Sequence, residues 1–308
     1  MVRRERECHE KVKCGFEWGN EMSRIQRAVA KAEREGLLAW TERETAARRG
    51  PLHEAPPAAQ VSRSDEPDWR QADAAPAHET TGAVNALSPL FVAATHPTSA
   101  AAEQYRLLRT RLEGRERGRR TQLMLVTSPG PGDGKTTTSA NLALTMAQDF
   151  NHNVVLVEAD MRRPTLATLC GVGRDRGLVD VLMGGAALED VLVQLPEQNL
   201  FVLPAGPMTN RATELLGSSM MSRLVDTLRS RFSRIVVDSP PVTLADTHVL
   251  ARMADGILIV VRAGVTSRPA LEHALEGVER ERIAGLVLND VDLSVGAYPG
   301  AYAWAAGA

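Results

Sequence analysis

The sequence predicts a three-layer α/β sandwich: a mainly parallel sheet flanked by helices, with a disordered linker before it. Three observations predict this. Six short apolar runs, Leu123–Val126, Val154–Val157, Leu200–Leu203, Ile235–Val237, Ile257–Val261 and Leu286–Leu288, show no polar alternation, as strands buried on both faces do. Stretches of helical character separate the runs, which is the pattern of a layered α/β domain. The first run passes through a glycine-rich turn directly into a helical stretch, LMLVTSPGPGDGKTTTSANLALTMAQ.

Taken in order, the elements begin with a charged segment. The chain has 308 residues, room for one domain of about 200 residues with extensions. Residues 1–50 are dense in Arg, Lys and Glu. Within them Met22, Ile25, Val29 and Ala32 recur at near-helical spacing, so EMSRIQRAVAKAEREG reads as a short amphipathic helix ending near Gly36. Its apolar stripe is narrow, and both a docking helix and a solvated helix fit it. Met22 is an alternative start. Residues 51–98 are rich in Pro, Ala, Ser and Thr and poor in large apolar residues, the composition of a disordered linker. The domain proper is expected over 99–292, opening with a helix, SAAAEQYRLLRTRLEG, whose apolar members are Tyr105, Leu107, Leu108 and Leu112. Residues 293–308 form a Gly/Ala tail that carries Tyr298 and Tyr302.

Composition excludes several classes. The net charge of −2 gives no general attraction to nucleic acid, and no nucleic-acid partner is expected. Three cysteines, Cys8, Cys14 and Cys170, do not make a disulfide framework and fit a reducing cytosol. Cys8, His9 and Cys14 lie close together without a second ligand pair, so a zinc site is not expected. No signal-peptide core is present, and the apolar runs are far shorter than the ~18 residues that span a bilayer. The expected location is the cytoplasm, with any membrane contact made through a partner.

The glycine-rich turn carries the chemistry. In Gly130-Pro131-Gly132-Asp133-Gly134-Lys135-Thr136, glycines let backbone N–H groups converge on phosphate oxygens, and the following helix presents its N-terminus to the same charge. This is the strand–loop–helix context of a P-loop, so the fold class narrows to a P-loop NTPase that binds ATP with Mg2+. Pro129 occupies the place of the motif's first glycine. Lys135 is expected to reach the β- and γ-phosphates, and Thr136 to ligate magnesium. Gly130, Gly132, Asp133, Gly134 and Thr137 complete the expected cofactor-binding set.

Acids at other strand ends complete the expected site. Asp238 follows Ile235–Val237, the usual place for a Walker B carboxylate, and in open α/β sheets ligands gather at the carboxyl ends of strands. Glu158 ends the run Val154–Val157 and Asp160 follows two residues later. Beside a triphosphate, such acids make sense if magnesium neutralises them or one accepts a proton. Arg162 and Arg163 come next, placed to steady the acids, meet phosphates or serve a subunit interface. Asn289 ends the last run, where its amide suits an adenine edge.

Six collinear segments then carry a resemblance: EQYRLLRTRL, the phosphate loop, VVLVEADMRRP, LPAGPMTNRATELL, RIVVDSPPV and GLVLNDVD. They resemble the bacterial tyrosine kinases of capsule and exopolysaccharide synthesis. MSRIQRAVAKAERE and NRATELL resemble the cytosolic subgroup associated with exosortase-type polysaccharide loci. The resemblance implies an autokinase in which Lys135, Glu158, Asp160 and Asp238 are catalytic and Thr136, Asp160 and Asp238 hold the metal. It implies Tyr298 and Tyr302 as acceptors, phosphorylated between neighbouring subunits. Glu103, Arg106 and Arg109 would lie in the helix through which subunits form a ring homo-oligomer. Activation would come from a transmembrane chain-length-determinant protein, placing the enzyme peripherally at the inner membrane. Two departures stand out: Glu158 replaces the usual aspartate, and the tail has two tyrosines where the family has a run. Two other readings compete, a nucleotide-dependent scaffold of an export complex and a partition-type ATPase. Against the latter, Gly130 stands where those ATPases carry a lysine.

Overall fold

The computed structural model describes residues 87–114, 121–149, 152–195 and 199–291. The N-terminal amphipathic segment, the Cys8/His9/Cys14 group, most of the expected linker, and Tyr298 and Tyr302 lie outside the described residues.

The strands are β1 (Leu123–Thr127), β2 (Val154–Glu158), β3 (Val193–Gln194), β4 (Leu200–Leu203), β5 (Arg234–Asp238), β6 (Gly256–Arg262) and β7 (Ile283–Asn289). They form one sheet in the order β3-β4-β2-β5-β1-β6-β7. Every pairing is parallel except that of β3 with β4. All six expected strands are present, most of them extended by a residue or more at their ends. The two-residue β3 was not expected, since so short an edge leaves no pattern in the sequence.

Side-chain alternation explains why these runs are apolar throughout. Leu123, Leu125, Val155, Val157, Ile235, Val237, Ile257 and Ile259 enter one core. Met124, Val126, Val154, Leu156, Val236, Leu258 and Val260 enter the other. Successive residues of a strand point to opposite faces, and both faces here are covered by helices. The long helices Ser219–Arg231, Ala245–Met253 and Arg268–Glu276 place buried residues in the first core. The second face carries α1 (Val92–Thr95), α2 (Ala100–Gly114) and α3 (Lys135–Ala147). In α3 every residue from Thr138 to Ala147 is buried, because the sheet covers one side and α1 and α2 the other. That explains its small and apolar residues, SANLALTMA.

The start of the domain differs from expectation. Residues 87–98, assigned to the linker by composition, pack onto the domain. Phe91 is 0% exposed, and Ser88 N donates to Leu169 O at 3.0 Å. Buried Asn141 of α3 accepts from Ala93 N (2.8 Å) and donates to Leu90 O (2.9 Å) and Thr137 O (2.8 Å). One large aromatic side chain and one satisfied amide outweigh a Pro/Ser/Thr-rich composition.

The helix α2 forms where expected, and Ser99 Oγ accepts from Ala102 N at its start. Its buried face is set by Ala102 and Leu112, with Tyr105 and Leu108 half-buried. Leu107, expected among the apolar members, is 40% exposed. Among the described residues no helix is long and apolar enough to cross a membrane.

Candidate active site

The carboxyl ends of β1, β2 and β5 meet at the glycine-rich loop. Gly132 and Gly134 adopt φ of +83° and +94°, the left-handed region where a Cβ is strained. At Gly134 a Cβ would also come within 1.9 Å of the Asn289 amide nitrogen. The loop then enters α3 at Lys135. Among the described residues, no turn, loop or cap hydrogen bond uses the backbone N–H groups from Gly132 to Thr137 as donors. Those in the first turn of α3 have no partner within the helix either. A run of unpaired donors at a helix N-terminus is suited to binding an anion.

Gly130 and Asp133 play a different part from the one expected of them. Gly130 N donates to Asp133 Oδ2 at 2.8 Å, so it is committed inside the loop. Asp133 Oδ1 accepts from Thr266 Oγ1 at 2.9 Å. Burial raises the Asp133 carboxyl above its usual range, opposed by the Gly130 N–H, the Thr266 hydroxyl and the charges of Arg262 and Lys135. Asn289, expected at an adenine edge, donates through Nδ2 to Asp133 O at 3.0 Å. It buttresses the loop with its amide nitrogen and leaves its carbonyl oxygen for other contacts. Thr266 carries no motif; the only sequence signal for it was a hydroxyl residue just beyond the carboxyl end of a predicted strand.

Lys135 and Asp160 form an ion pair. Lys135 Nζ lies 3.1 Å from Asp160 Oδ2, with side chains 12% and 6% exposed. Asp160 Oδ1 accepts from Arg163 N at 3.1 Å, which fixes the carboxylate by its own loop. Arg162 grips Asp246 through Nε (2.6 Å) and a terminal nitrogen (3.2 Å). Thr213 also donates to Asp246. Burial alone would raise Asp246, yet these partners hold it below the usual carboxylate range. The loop that carries Asp160 is thereby tied to the helix Ala245–Met253.

Asp238 faces the same place, with the Lys135 charge and the Thr136 hydroxyl near it. It is 0% exposed, and both carboxylate oxygens are buried without a hydrogen-bond partner among the described residues. Burial pushes it up to about 7, against the pull of the Lys135 charge and the nearby Thr136 hydroxyl, while Glu158 and Asp160 push the same way as burial. Buried carboxylate oxygens without donors are costly unless a cation meets them. With Thr136 and Asp160 near them, the donors on offer are all oxygens, the kind magnesium prefers. The residues present therefore fit a Mg-nucleotide.

Glu158 does not join that set. Its Oε1 accepts from Thr165 N and Leu166 N, both at 2.5 Å, and Oε2 accepts from Ala205 N at 3.1 Å. Burial raises its carboxyl while these three N–H groups hold it down. The side chain is spent on joining the loop after β2 to the loop after β4. Replacing Glu158 by alanine would orphan three buried donors, at about 1–3 kcal/mol each. Urea denaturation should show that loss, while Mg-ATP affinity measured well below the unfolding transition is largely kept.

Of the predicted oligomerisation residues, Glu103 and Arg106 pair with each other on the surface at 2.6 Å. Arg106 also donates to Pro97 O. Arg109 turns inward and donates to Thr145 O at 2.7 Å, near the C-terminus of α3.

Sheet order, loop and buried acids define a P-loop nucleotide-binding protein. A family model described as an AAA domain matches residues 124–283. Tyrosine-protein kinase YwqD of Bacillus subtilis (strain 168) is 34% identical over 206 residues, 66% of this chain and 86% of the relative. Tyrosine-protein kinase CpsD of Streptococcus agalactiae serotype III (strain NEM316) is 31% identical over 200 residues, 64% of this chain and 85% of the relative. Among solved structures, the kinase domain of the Escherichia coli tyrosine kinase ETK superposes with a TM-score of 0.62 at 28% identity, covering 65% of this chain and 80% of that one. The chain belongs to the family of bacterial tyrosine-protein kinases.

Proposed function

We propose that this protein is a Mg-ATP-dependent tyrosine autokinase regulating exopolysaccharide biosynthesis and export, with Tyr298 and Tyr302 as its acceptors. The observation that carries the reading is the Asp238 carboxylate, buried without a hydrogen-bond partner among the described residues, near Lys135, Thr136 and the unpaired N–H run. Family membership supplies the reaction class.

In this reading the backbone from Gly132 to Thr137 binds the phosphate chain. Lys135 leaves Asp160 to meet the transferring phosphoryl group, where positive charge counts most. Thr136, Asp160 and Asp238 hold magnesium, which when bound neutralises charge on the phosphate oxygens. Asp160, freed of Lys135, is the carboxylate placed to accept the acceptor's phenolic proton. Phosphoryl transfer asks little more of a protein than positioning and charge neutralisation.

A tail tyrosine supplies its own acceptor from a neighbouring subunit. Ring assembly would use the exposed Glu103–Arg106 surface of α2, with Arg109 acting indirectly by seating that helix on α3. The activating partner is a transmembrane chain-length-determinant protein, which would bring a cytoplasmic enzyme to the inner membrane. The segments MSRIQRAVAKAERE and NRATELL support a narrower reading, membership of an exosortase-associated subgroup.

The Tyr298→Phe/Tyr302→Phe double variant tests the acceptor assignment. It should bind Mg-ATP as the wild type does and gain no tyrosine phosphate. Undiminished phosphate on Tyr105, the remaining tyrosine, would contradict it.

A further inference from the structure

We propose that Thr266 is a positioning residue for the nucleotide: from the loop after β6 it holds the Asp133 carboxylate and thereby sets the bend of the phosphate loop. The inference rests on the nucleotide-binding reading above. Thr266 is 6% exposed, and both capacities of its hydroxyl are used. It accepts from Arg262 N at 2.8 Å and donates its one proton to Asp133 Oδ1 at 2.9 Å. Asp133 passes the constraint on, since Oδ2 takes Gly130 N at 2.8 Å. The side chain thus spans the loop as a chord from Gly130 to Asp133. The main chain of Asp133 is held separately, by Asn289 at the end of β7. A single residue of the loop is therefore clamped by two neighbouring strand ends, side chain from β6 and carbonyl from β7.

The clamp matters because of what Asp133 would otherwise do. An aspartate in a turn readily bonds nearby backbone N–H groups. The nearest unpaired ones here are those of Gly132 to Thr137, the phosphate cradle. A carboxylate that turned to them would compete with phosphate for the same donors and repel its charge. Thr266 keeps the carboxylate on the β6 side and leaves the cradle open.

The test uses the full chain, with Mg-ADP affinity by calorimetry and the KM for Mg-ATP by turnover. Thr266→Val keeps the shape and removes the hydroxyl. Losing a hydrogen bond to a charged group corresponds to roughly a tenfold effect, expected as weaker Mg-ADP binding and a raised KM with a smaller change in kcat. Thr266→Ser should restore both. Asp133→Asn should weaken binding to a similar degree, and adding Thr266→Val to it should cost little more, because the two residues act through one contact. Thermal unfolding of each apo protein accompanies the binding data. Were Thr266→Val to lose the fold, the Thr266→Ser and Asp133→Asn affinities would decide the matter: near-wild-type for the first and weakened for the second. Wild-type affinity in Thr266→Val, failure of serine to rescue, or fully additive losses with Asp133→Asn would overturn the inference. A wild-type protein that binds no Mg-ADP would instead overturn the nucleotide reading itself.

Discussion

Lys135→Met should reduce phosphoryl transfer by roughly 10²–10³-fold, the usual loss when one preorganised electrostatic group is removed from a transition state. Saturating Mg-ATP should not rescue it, because the interaction strengthens as charge develops and is therefore lost from kcat. The structure adds a second consequence. Lys135 is the ion-pair partner of Asp160 at 3.1 Å, and both are largely buried. Removing it leaves Asp160 with the Arg163 N–H alone among the protein contacts described above. Breaking a buried pair from one side costs up to about 3–5 kcal/mol. The variant should therefore unfold at lower urea, and adding Asp160→Asn should recover part of the loss. Equal stability in wild type and Lys135→Met would mean that the two groups do not interact in solution.

Asp238→Asn should move stability and activity in opposite directions. The folded-state carboxyl is raised to about 7 by burial, well above the ordinary aspartate value. A raised carboxyl contributes most to stability when it is protonated. That contribution is complete below the unfolded-state pKa, declines as pH rises from about 4, and is lost once pH passes about 7. The slope it adds is at most ~1.4 kcal/mol per pH unit. Apo wild type should accordingly lose stability over that window relative to Asp238→Asn. At pH 8 the asparagine variant should be the more stable of the two, while its Mg-dependent turnover falls by roughly 10²–10³-fold. This is the familiar opposition between a strained site and a stable fold. Urea midpoints at several pH values check it, and parallel pH profiles for the two proteins would refute the assignment of the slope to Asp238.

The strands and the residues gathered at their carboxyl ends were legible in the sequence, and the reasons are local. The strands announced themselves because both faces of the sheet are covered, so each run is apolar without interruption. Lys135, Thr136, Asp160 and Asp238 were legible because strand ends and glycine turns fix where side chains emerge. What sequence left hidden depends on contacts across long separations. Asp133 looked like a phosphate-loop residue, yet its carboxylate meets Thr266 from another loop. Glu158 looked like a catalytic acid in the place of an aspartate, longer by one methylene. That extra reach instead lets it take three backbone N–H groups at Thr165, Leu166 and Ala205. Asn289 sits at the strand end where an adenine contact was expected, but its amide nitrogen holds the loop. Composition misjudged residues 87–98 because averaging over a Pro/Ser/Thr-rich stretch conceals one buried phenylalanine, Phe91. Arg109 shows the same limit on a helix, where spacing gives the face but not whether a long side chain folds inward.

In the proposed function, the loop, the lysine and the buried acids serve transfer of phosphate to the chain's own tyrosines. Purified wild-type and Lys135→Met proteins, incubated with Mg-ATP and mapped by phosphopeptide mass spectrometry, test it most directly. Phosphate is expected on Tyr298, Tyr302 or both in the wild type and on neither in Lys135→Met. No tyrosine phosphate in the wild type, even with the cytosolic segment of a chain-length-determinant protein added, would contradict that reading and leave a nucleotide-dependent scaffold as the better description.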